Sequence, residues 1–423
     1  MKVLVISRNA WDITNSIGNT LSNFFTGIED LEFANIYFRS SHPDNKNCKL
    51  YYRVTEKDII RNWFSPHKLG ERFLWDSANK KSGATDKELK EKSLIRFIQK
   101  NNLKLAYKLS NFLWYSKKWL NDNLKDFVEE FKPDVVFTFV KSAPQYYLTV
   151  KFLKENYGIP VFSWIADDEY SILKNKHKTN EINNIKYILE SSSVVTGCTK
   201  EICDYYNSVF GCNATPLYKG CFFSAPVKST VNSPVKLVYA GNLLYGRFDI
   251  IKKISDSLEK IDKGKKKVSF EIYSNTLLSK KDQKYLIQNS CTEYMGKQDY
   301  DFIVKRLADA DVVLHVESFD SEQILKTKYS FSTKIIDCLQ SGNVMLAVGP
   351  SDVASIKYVK KIDGAYTIDN LSNLDTGLKE LLDDFKNFVS RAAQSREFAL
   401  NCHDAIKNSK EVKRILKKIV EGE

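Results

Sequence analysis

Ten short apolar, β-branched runs separated by helix-length polar stretches constrain this chain more than any other feature. Residues 3–7, 33–38, 135–140, 160–164 and 194–196 form one series; 236–240, 269–273, 312–316, 344–348 and 365–368 form a second. Continuous apolar runs of this length suit parallel strands covered on both faces, and their alternation with helical stretches is the βαβ pattern. Between the series lies SAPVKSTVNSP, residues 224–234, which follows neither the strand nor the helix period. The expected architecture is therefore α/β, with two Rossmann-like doubly wound domains. They are expected at 1–222, carrying a helical insertion at about 61–130, and at 236–400, with a linker at 223–235. A last helix at 401–423 has the first domain as a candidate partner.

Composition removes several classes. With 423 residues, 25 Phe and 22 Tyr against 17 Gly and nine Pro, the chain is neither collagen-like nor low-complexity. No uninterrupted apolar run approaches the roughly 18–20 residues of a membrane-spanning helix. The N-terminal MKVLVISRNAWD has its apolar block broken by Arg8 and Asn9, so it reads as a first strand and not an export signal. Eight Cys form no C-x-x-C pair and no zinc spacing with the five His, which points to reduced thiols, no bound metal and a cytoplasmic setting. The net charge of +12 favours anionic partners in general, but the excess is spread out, and its one tight run, at 263–267, reads as a solvated turn. A basic helix or a stacking-sheet motif for nucleic acid is absent.

Within the insertion, LKLAYKLSNFLWYSKKWL at 103–120 mixes Tyr107, Phe112, Trp114, Tyr115 and Trp119 with lysines. That mixture suits a helix in an acidic membrane interface and equally a core-facing helix whose lysines snorkel to solvent.

Ligands of open parallel sheets sit at the carboxyl ends of strands, so the loops after the strands are where chemistry is expected. In YAGNLLYGRFDIIKKI, residues 239–254, Gly241 and Gly246 allow close backbone approach. Arg247 stands at a helix start, with a fork that matches a phosphate. Neither G-x-G-x-x-G nor G-K-[ST] occurs there, against nicotinamide and P-loop readings. In KYSFSTKIIDCLQSGNVMLAVGP, residues 328–350, Ser332, Thr333 and Lys334 offer hydroxyls, free N–H groups and an ammonium to a diphosphate at a helix N-terminus. Asp337, one turn further on, suits a ribose diol.

These segments, with FEIYS, YMG, HVESFD, AVGP and the tail NCHDAIK, cover most of 236–410. Together they resemble the nucleotide-sugar glycosyltransferases of the GT-B fold, family-four-like, of the bacterial polysaccharide type. The first domain matches more loosely, through NSIGNT at 15–20, WIADDEYS at 164–171 and TKEICDYYNSVFG. The resemblance implies two domains facing each other across a cleft. It implies transfer of a sugar from a nucleotide diphosphate sugar to a saccharide or polyprenyl-linked saccharide, at the inner face of a membrane, with no cofactor beyond the donor and no metal. It assigns the donor diphosphate to Arg247, Ser332, Thr333, Lys334, Gly241 and Asn242, and the ribose to Asp337. Ser274, Gly296 and Glu317 would flank the base or sugar, and Gly18, Asn19 and Lys141 the acceptor.

Two departures stand out. The family pattern places two Glu residues eight positions apart, where this chain has Tyr329 and Asp337. No His follows the strand at 135–140, which leaves Asp167 and Asp168 as the acids able to orient or deprotonate an acceptor hydroxyl; an N-cap and a surface acid explain them equally well. Asp309-Ala310-Asp311 fits D-x-D superficially but lies between a helix and a buried strand, where a helix terminus is the simpler reading. A nucleotide-sugar epimerase or hydrolase, or a catalytically silent partner subunit, competes with the transferase.

Overall fold

The computed structural model describes residues 1–13, 15–75 and 104–422. The chain divides into two compact units. One comprises Met1–Lys219 with Ala405–Glu423, the other Gly220–Asp404.

The first unit is built on an eight-stranded sheet of β1 (Lys2–Ser7), β2 (Glu32–Tyr37), β3 (Cys48–Arg53), β4 (Glu71–Leu74), β5 (Val135–Phe139), β6 (Val161–Ile165), β7 (Val194–Gly197) and β8 (Thr215–Pro216). Their spatial order is β4-β3-β2-β1-β5-β6-β7-β8. All neighbours pair in parallel except β3 and β4, which are antiparallel. Val3, Leu4, Val5 and Ile6 of β1 are fully buried; each such side chain contributes about 1.5–3 kcal/mol on leaving water. The order reverses between β2-β1 and β1-β5, the kind of switch point at which doubly wound sheets bind ligands.

Three features differ from the sequence reading. β3 and β4 were not anticipated, and β4 places a strand inside the expected helical insertion; the part of that insertion at 76–103 lies outside the described residues. The helix Lys104–Tyr115 turns Trp114 into the core, where its indole N–H donates to Glu56 at 3.0 Å, and Trp119 is buried too, donating to the Trp114 carbonyl at 3.0 Å. Neither indole is available to a lipid surface. Exposed apolar groups of this region include instead Phe112, 61% exposed and stacked on Trp63, Phe64, 94% exposed, and Ile60, Tyr107 and Leu109. Finally, NSIGNT is not a loop: Asn15 caps the helix Ser16–Phe24 by accepting from the Gly18 amide. Gly18 is buried against the Asp12 backbone, while Asn19 accepts from Asn23 within the same helix.

The second unit carries six strands, β9 (Val235–Ala240), β10 (Val268–Tyr273), β11 (Thr292–Gly296), β12 (Val312–Val316), β13 (Val344–Val348) and β14 (Tyr366–Ile368), in the order β11-β10-β9-β12-β13-β14. Every pair is parallel. β11 is an addition to the five strands read from the sequence, since TEYMG alternates too weakly to stand out. Alternate residues Leu237 and Tyr239, Phe270 and Ile272, and Val312, Leu314 and Val316 pack with Ile250, Ile251 and Ile254 of the helix Arg247–Asp262 into one core. The expected linker is tied down. Asp311 accepts from Lys228 at 2.8 Å, from Asn232 at 3.0 Å and from the Lys236 amide at 2.7 Å, so the would-be D-x-D fixes the segment before β9. All eight cysteines are free thiols. Among the described residues no helix is long and apolar enough to cross a membrane.

Candidate functional site

Because every strand of the second sheet runs the same way, its carboxyl ends form one edge, and the residues that follow them are stitched side by side. The Ser274 amide donates to the Gly296 carbonyl at 2.9 Å, Gly241 to Tyr273 at 2.9 Å and Glu317 to Val348 at 2.8 Å. Gly296, Ser274, Gly241 and Glu317 thus succeed one another along β11, β10, β9 and β12.

Arg247 begins the helix Arg247–Asp262 beside this edge, yet its fork is not held open for an anion. The residue is 7% exposed. Nε donates to the Val316 carbonyl at 3.0 Å, Nη1 to Asn242 Oδ1 at 3.0 Å, and Nη2 to both Glu317 oxygens at 3.0 and 3.1 Å. Glu317, 2% exposed, is therefore the counterion of Arg247, and Asn242 is a further acceptor for the same fork. Burial works to raise the Glu317 carboxyl, but His315, with Nε2 at 3.3 Å, and Arg247 outweigh it and hold it below the usual carboxylate range. Burial pushes His315 down, toward the neutral imidazole. A buried pair held by this many hydrogen bonds is fixed in place, and its positive partner is already neutralised.

Lys334 is different. It opens the helix Lys334–Ser341, and its ammonium donates to the Tyr239 hydroxyl at 3.3 Å; no carboxylate of the described residues lies within ion-pair distance. Burial and the neighbouring Arg247 charge pull its pKa down to about 8. An unpaired, partly desolvated ammonium at a helix N-terminus is a place for an anion. Gly241 makes the position accessible, because a Cβ there would lie 2.2 Å from Lys334 Nζ and 2.3 Å from Cε. Gly241→Ala is expected to push the ammonium aside and weaken pyrophosphate binding about ten-fold, about 1.4 kcal/mol. Its melting temperature should stay near that of the unaltered protein, since only the end of a long side chain moves. A titration in which Gly241→Ala binds pyrophosphate as the unaltered protein does would separate Lys334 from the anion.

Thr333 immediately precedes the helix, in helical conformation and without a side-chain capping bond. Ser332 donates its amide to Ser355 Oγ at 3.1 Å, and its carbonyl accepts from the Ile335 amide at 3.0 Å. Asp337 lies one turn along, half-buried, and adds a small favourable field at Lys334. Tyr329 sits before this helix, half-buried, with the Lys328 ammonium 5.9 Å from its ring.

In the first unit, Lys141 follows β5 and reaches the loop after β6. Its ammonium lies 3.1 Å from Asp167 and 3.0 Å from Glu169. Burial alone would lower Lys141, but the two carboxylates outweigh it and raise the ammonium well above its usual range. Glu169 also accepts from the Ser142 amide at 2.8 Å and hydroxyl at 2.6 Å. Asp168, by contrast, caps the helix Glu169–Asn175 by accepting from the Ser171 amide at 3.1 Å, and lies 3% exposed, with burial raising its pKa. Its place is that of an N-cap. Asp167, with a side chain 60% exposed, is the acid that faces water.

The sequence reading thus passed over three residues: Tyr239, His315 and Glu169. His315 on β12 and Glu317, the residue after that strand, stand at i and i+2 and so share a face, a signal present in HVESFD. Glu169 stood within WIADDEYS beside the two aspartates that drew attention. Tyr239 carried no signal beyond that of a core aromatic.

Comparison with known proteins adds the fold. No family model matches the chain, and no curated protein matches it. Solved structures do. Anabaena HepE in complex with UDP is 11% identical with a TM-score of 0.66, covering 99% of this chain and 100% of its own. Sucrose-phosphate synthase from Thermosynechococcus elongatus is 10% identical with a TM-score of 0.64, covering all of both chains. The UDP-forming α,α-trehalose-phosphate synthase from Burkholderia vietnamiensis is 11% identical with a TM-score of 0.63, covering 99% of this chain and 100% of its own. Two parallel-sheet units joined in this order, matched over the full length of these glycosyltransferases, give the chain the GT-B fold.

Proposed function

We propose that this chain transfers a sugar from a nucleoside diphosphate sugar to an acceptor hydroxyl. The observation that carries the reading is Lys334: an ammonium without a carboxylate partner, at a helix N-terminus, on the carboxyl edge of a parallel sheet. A departing diphosphate needs its growing charge met by groups already in place. Lys334, the hydroxyl of Thr333 and the first turn of the helix would meet it, with Arg247 fixed behind them. Asp337 would take the ribose. Ser274 and Gly296 would flank the base, and Tyr329 the sugar.

For the acceptor, the Lys141 cluster of the first unit is the proposed side, with Asp167 as the hydroxyl's partner. The acceptor we propose is a saccharide, free or polyprenyl-linked, in cell-surface polysaccharide synthesis. This rests on the likeness of FSTKIIDCLQSG to polysaccharide-type transferases. An acidic membrane surface as partner is supported by exposed Ile60, Phe64 and Phe112 among exposed Lys57, Arg61 and Lys108. The reading involves no cofactor besides the donor.

UDP is the first probe, since HepE was solved with it. Calorimetry should show saturable UDP binding that raises the melting temperature, as binding to the native state requires. Incubation with a panel of UDP-sugars should release UDP only when an acceptor saccharide is added. Conversion of the sugar without acceptor would turn the reading to an epimerase, and no response to any nucleotide would end it.

A further inference from the structure

The two cations of the site are joined by a hydrogen-bonded chain with Asn242 at its centre. The Tyr239 hydroxyl donates to the Asn242 carbonyl oxygen at 2.6 Å, while the Asn242 side-chain oxygen accepts from Arg247 Nη1 at 3.0 Å. Burial pushes the Tyr239 phenol up, so it keeps its proton at any working pH. With that proton committed to Asn242, the hydroxyl has only lone pairs to offer, and Lys334 Nζ donates to them at 3.3 Å. The ring itself is buried in the core. It is packed there, and its hydroxyl is tied to the loop that carries Gly241.

We infer that Tyr239 is a positioning residue: its oriented hydroxyl holds the Lys334 ammonium over Gly241 at a fixed place relative to Arg247, where a diphosphate is met. This rests on the proposed donor site and deepens it. A buried phenylalanine would fill the core equally well, so the hydroxyl serves its two polar partners, the Asn242 carbonyl and the Lys334 ammonium, and not the packing. A hydrogen bond to the charged form of a group favours that form. The groups facing Lys334 are Arg247 from the helix Arg247–Asp262, Glu317 and His315 from β12 and the residue after it, Asp337 and Cys338 from its own helix, and Tyr239 from β9.

The test is the pH profile of UDP binding by calorimetry between about pH 7 and 9.5, above the last ionisation of a terminal phosphate near about 6. In the unaltered protein the free ammonium titrates near 8, and bound diphosphate raises that value. The affinity from Lys334 is therefore fully present below about 8 and lost as the pH rises above it. Tyr239→Phe is expected to move the descent to lower pH by about one unit and to weaken binding at pH 8 about five-fold. Its unliganded melting temperature should stay within a few degrees. Lys334→Met should bind weakly with no descent near 8, identifying the titrating group. A Tyr239→Phe profile superimposed on that of the unaltered protein overturns the inference and leaves the donor site standing, as does a flat profile in the unaltered protein. Absence of UDP binding in the unaltered protein sinks the proposed function itself.

Discussion

Lys334→Met is expected to weaken UDP binding about 10- to 100-fold while leaving the folded chain as stable as before or more so. The loss follows from the removal of hydrogen bonds to a charged group, about 1.5–3 kcal/mol. The direction of the stability change follows from the free protein. There the ammonium is half-buried, close to the Arg247 charge and lacking an ion-pair partner among the described residues, so its presence costs the fold something. Methionine keeps the length and removes the charge. Sites that hold charge ready for a ligand characteristically trade stability for function, and paired calorimetry and thermal melts would display both halves of the trade. A Lys334→Met protein that loses stability and keeps its UDP affinity would place this lysine in the structural frame instead of the site.

Glu317→Leu is expected to produce the largest destabilisation, about 3–5 kcal/mol, because it strands a buried Arg247 without its counterion. Combining it with Arg247→Met should restore much of the loss, since two apolar side chains no longer need each other. The measurement calls for far-UV circular dichroism. All six tryptophans, at 11, 63, 75, 114, 119 and 164, belong to the first unit, so intrinsic indole emission would miss unfolding of the second. A Glu317→Leu protein melting with the unaltered one would mean that Arg247 finds its charge balance elsewhere.

The two variants also distinguish the roles of the two cations that looked equivalent in the sequence. Arg247 and Lys334 both stand at helix starts after parallel strands, where a phosphate is expected. In the folded chain Arg247 is spent on Glu317, Asn242 and the Val316 carbonyl, while Lys334 has no carboxylate partner among the described residues and bonds only the Tyr239 hydroxyl. A guanidinium with five donors in a fixed plane suits a permanent socket, while a single ammonium on a long stem suits an exchangeable partner.

Much of the architecture was legible beforehand. Runs such as VMLAV, and VVLHV at every position but His315, are apolar in a way that only a strand buried on both faces tolerates, and Gly342 stops its helix in the left-handed conformation as a helix-ending glycine does. Less legible were the edge strands. β4, with exposed Glu71, Arg72 and Leu74, and β8, two residues long, bury too little to leave a pattern. Within the site, positions were readable and partnerships were not: Asp168 and Asp167 are adjacent, yet one caps a helix and the other pairs with Lys141.

By itself the sequence determined that two sets of parallel strands would form, which loops would follow their carboxyl ends, and that Gly241, Arg247 and Lys334 would lie among those loops, because hydrophobic period and turn chemistry are local properties. Only the tertiary structure decided which charges cancel. Arg247 and Glu317 are 70 positions apart, and they meet because β9 and β12 are neighbours, with Leu237 beside Val312. Strand order leaves no trace in periodicity, and Coulomb energy depends on distances that only packing sets.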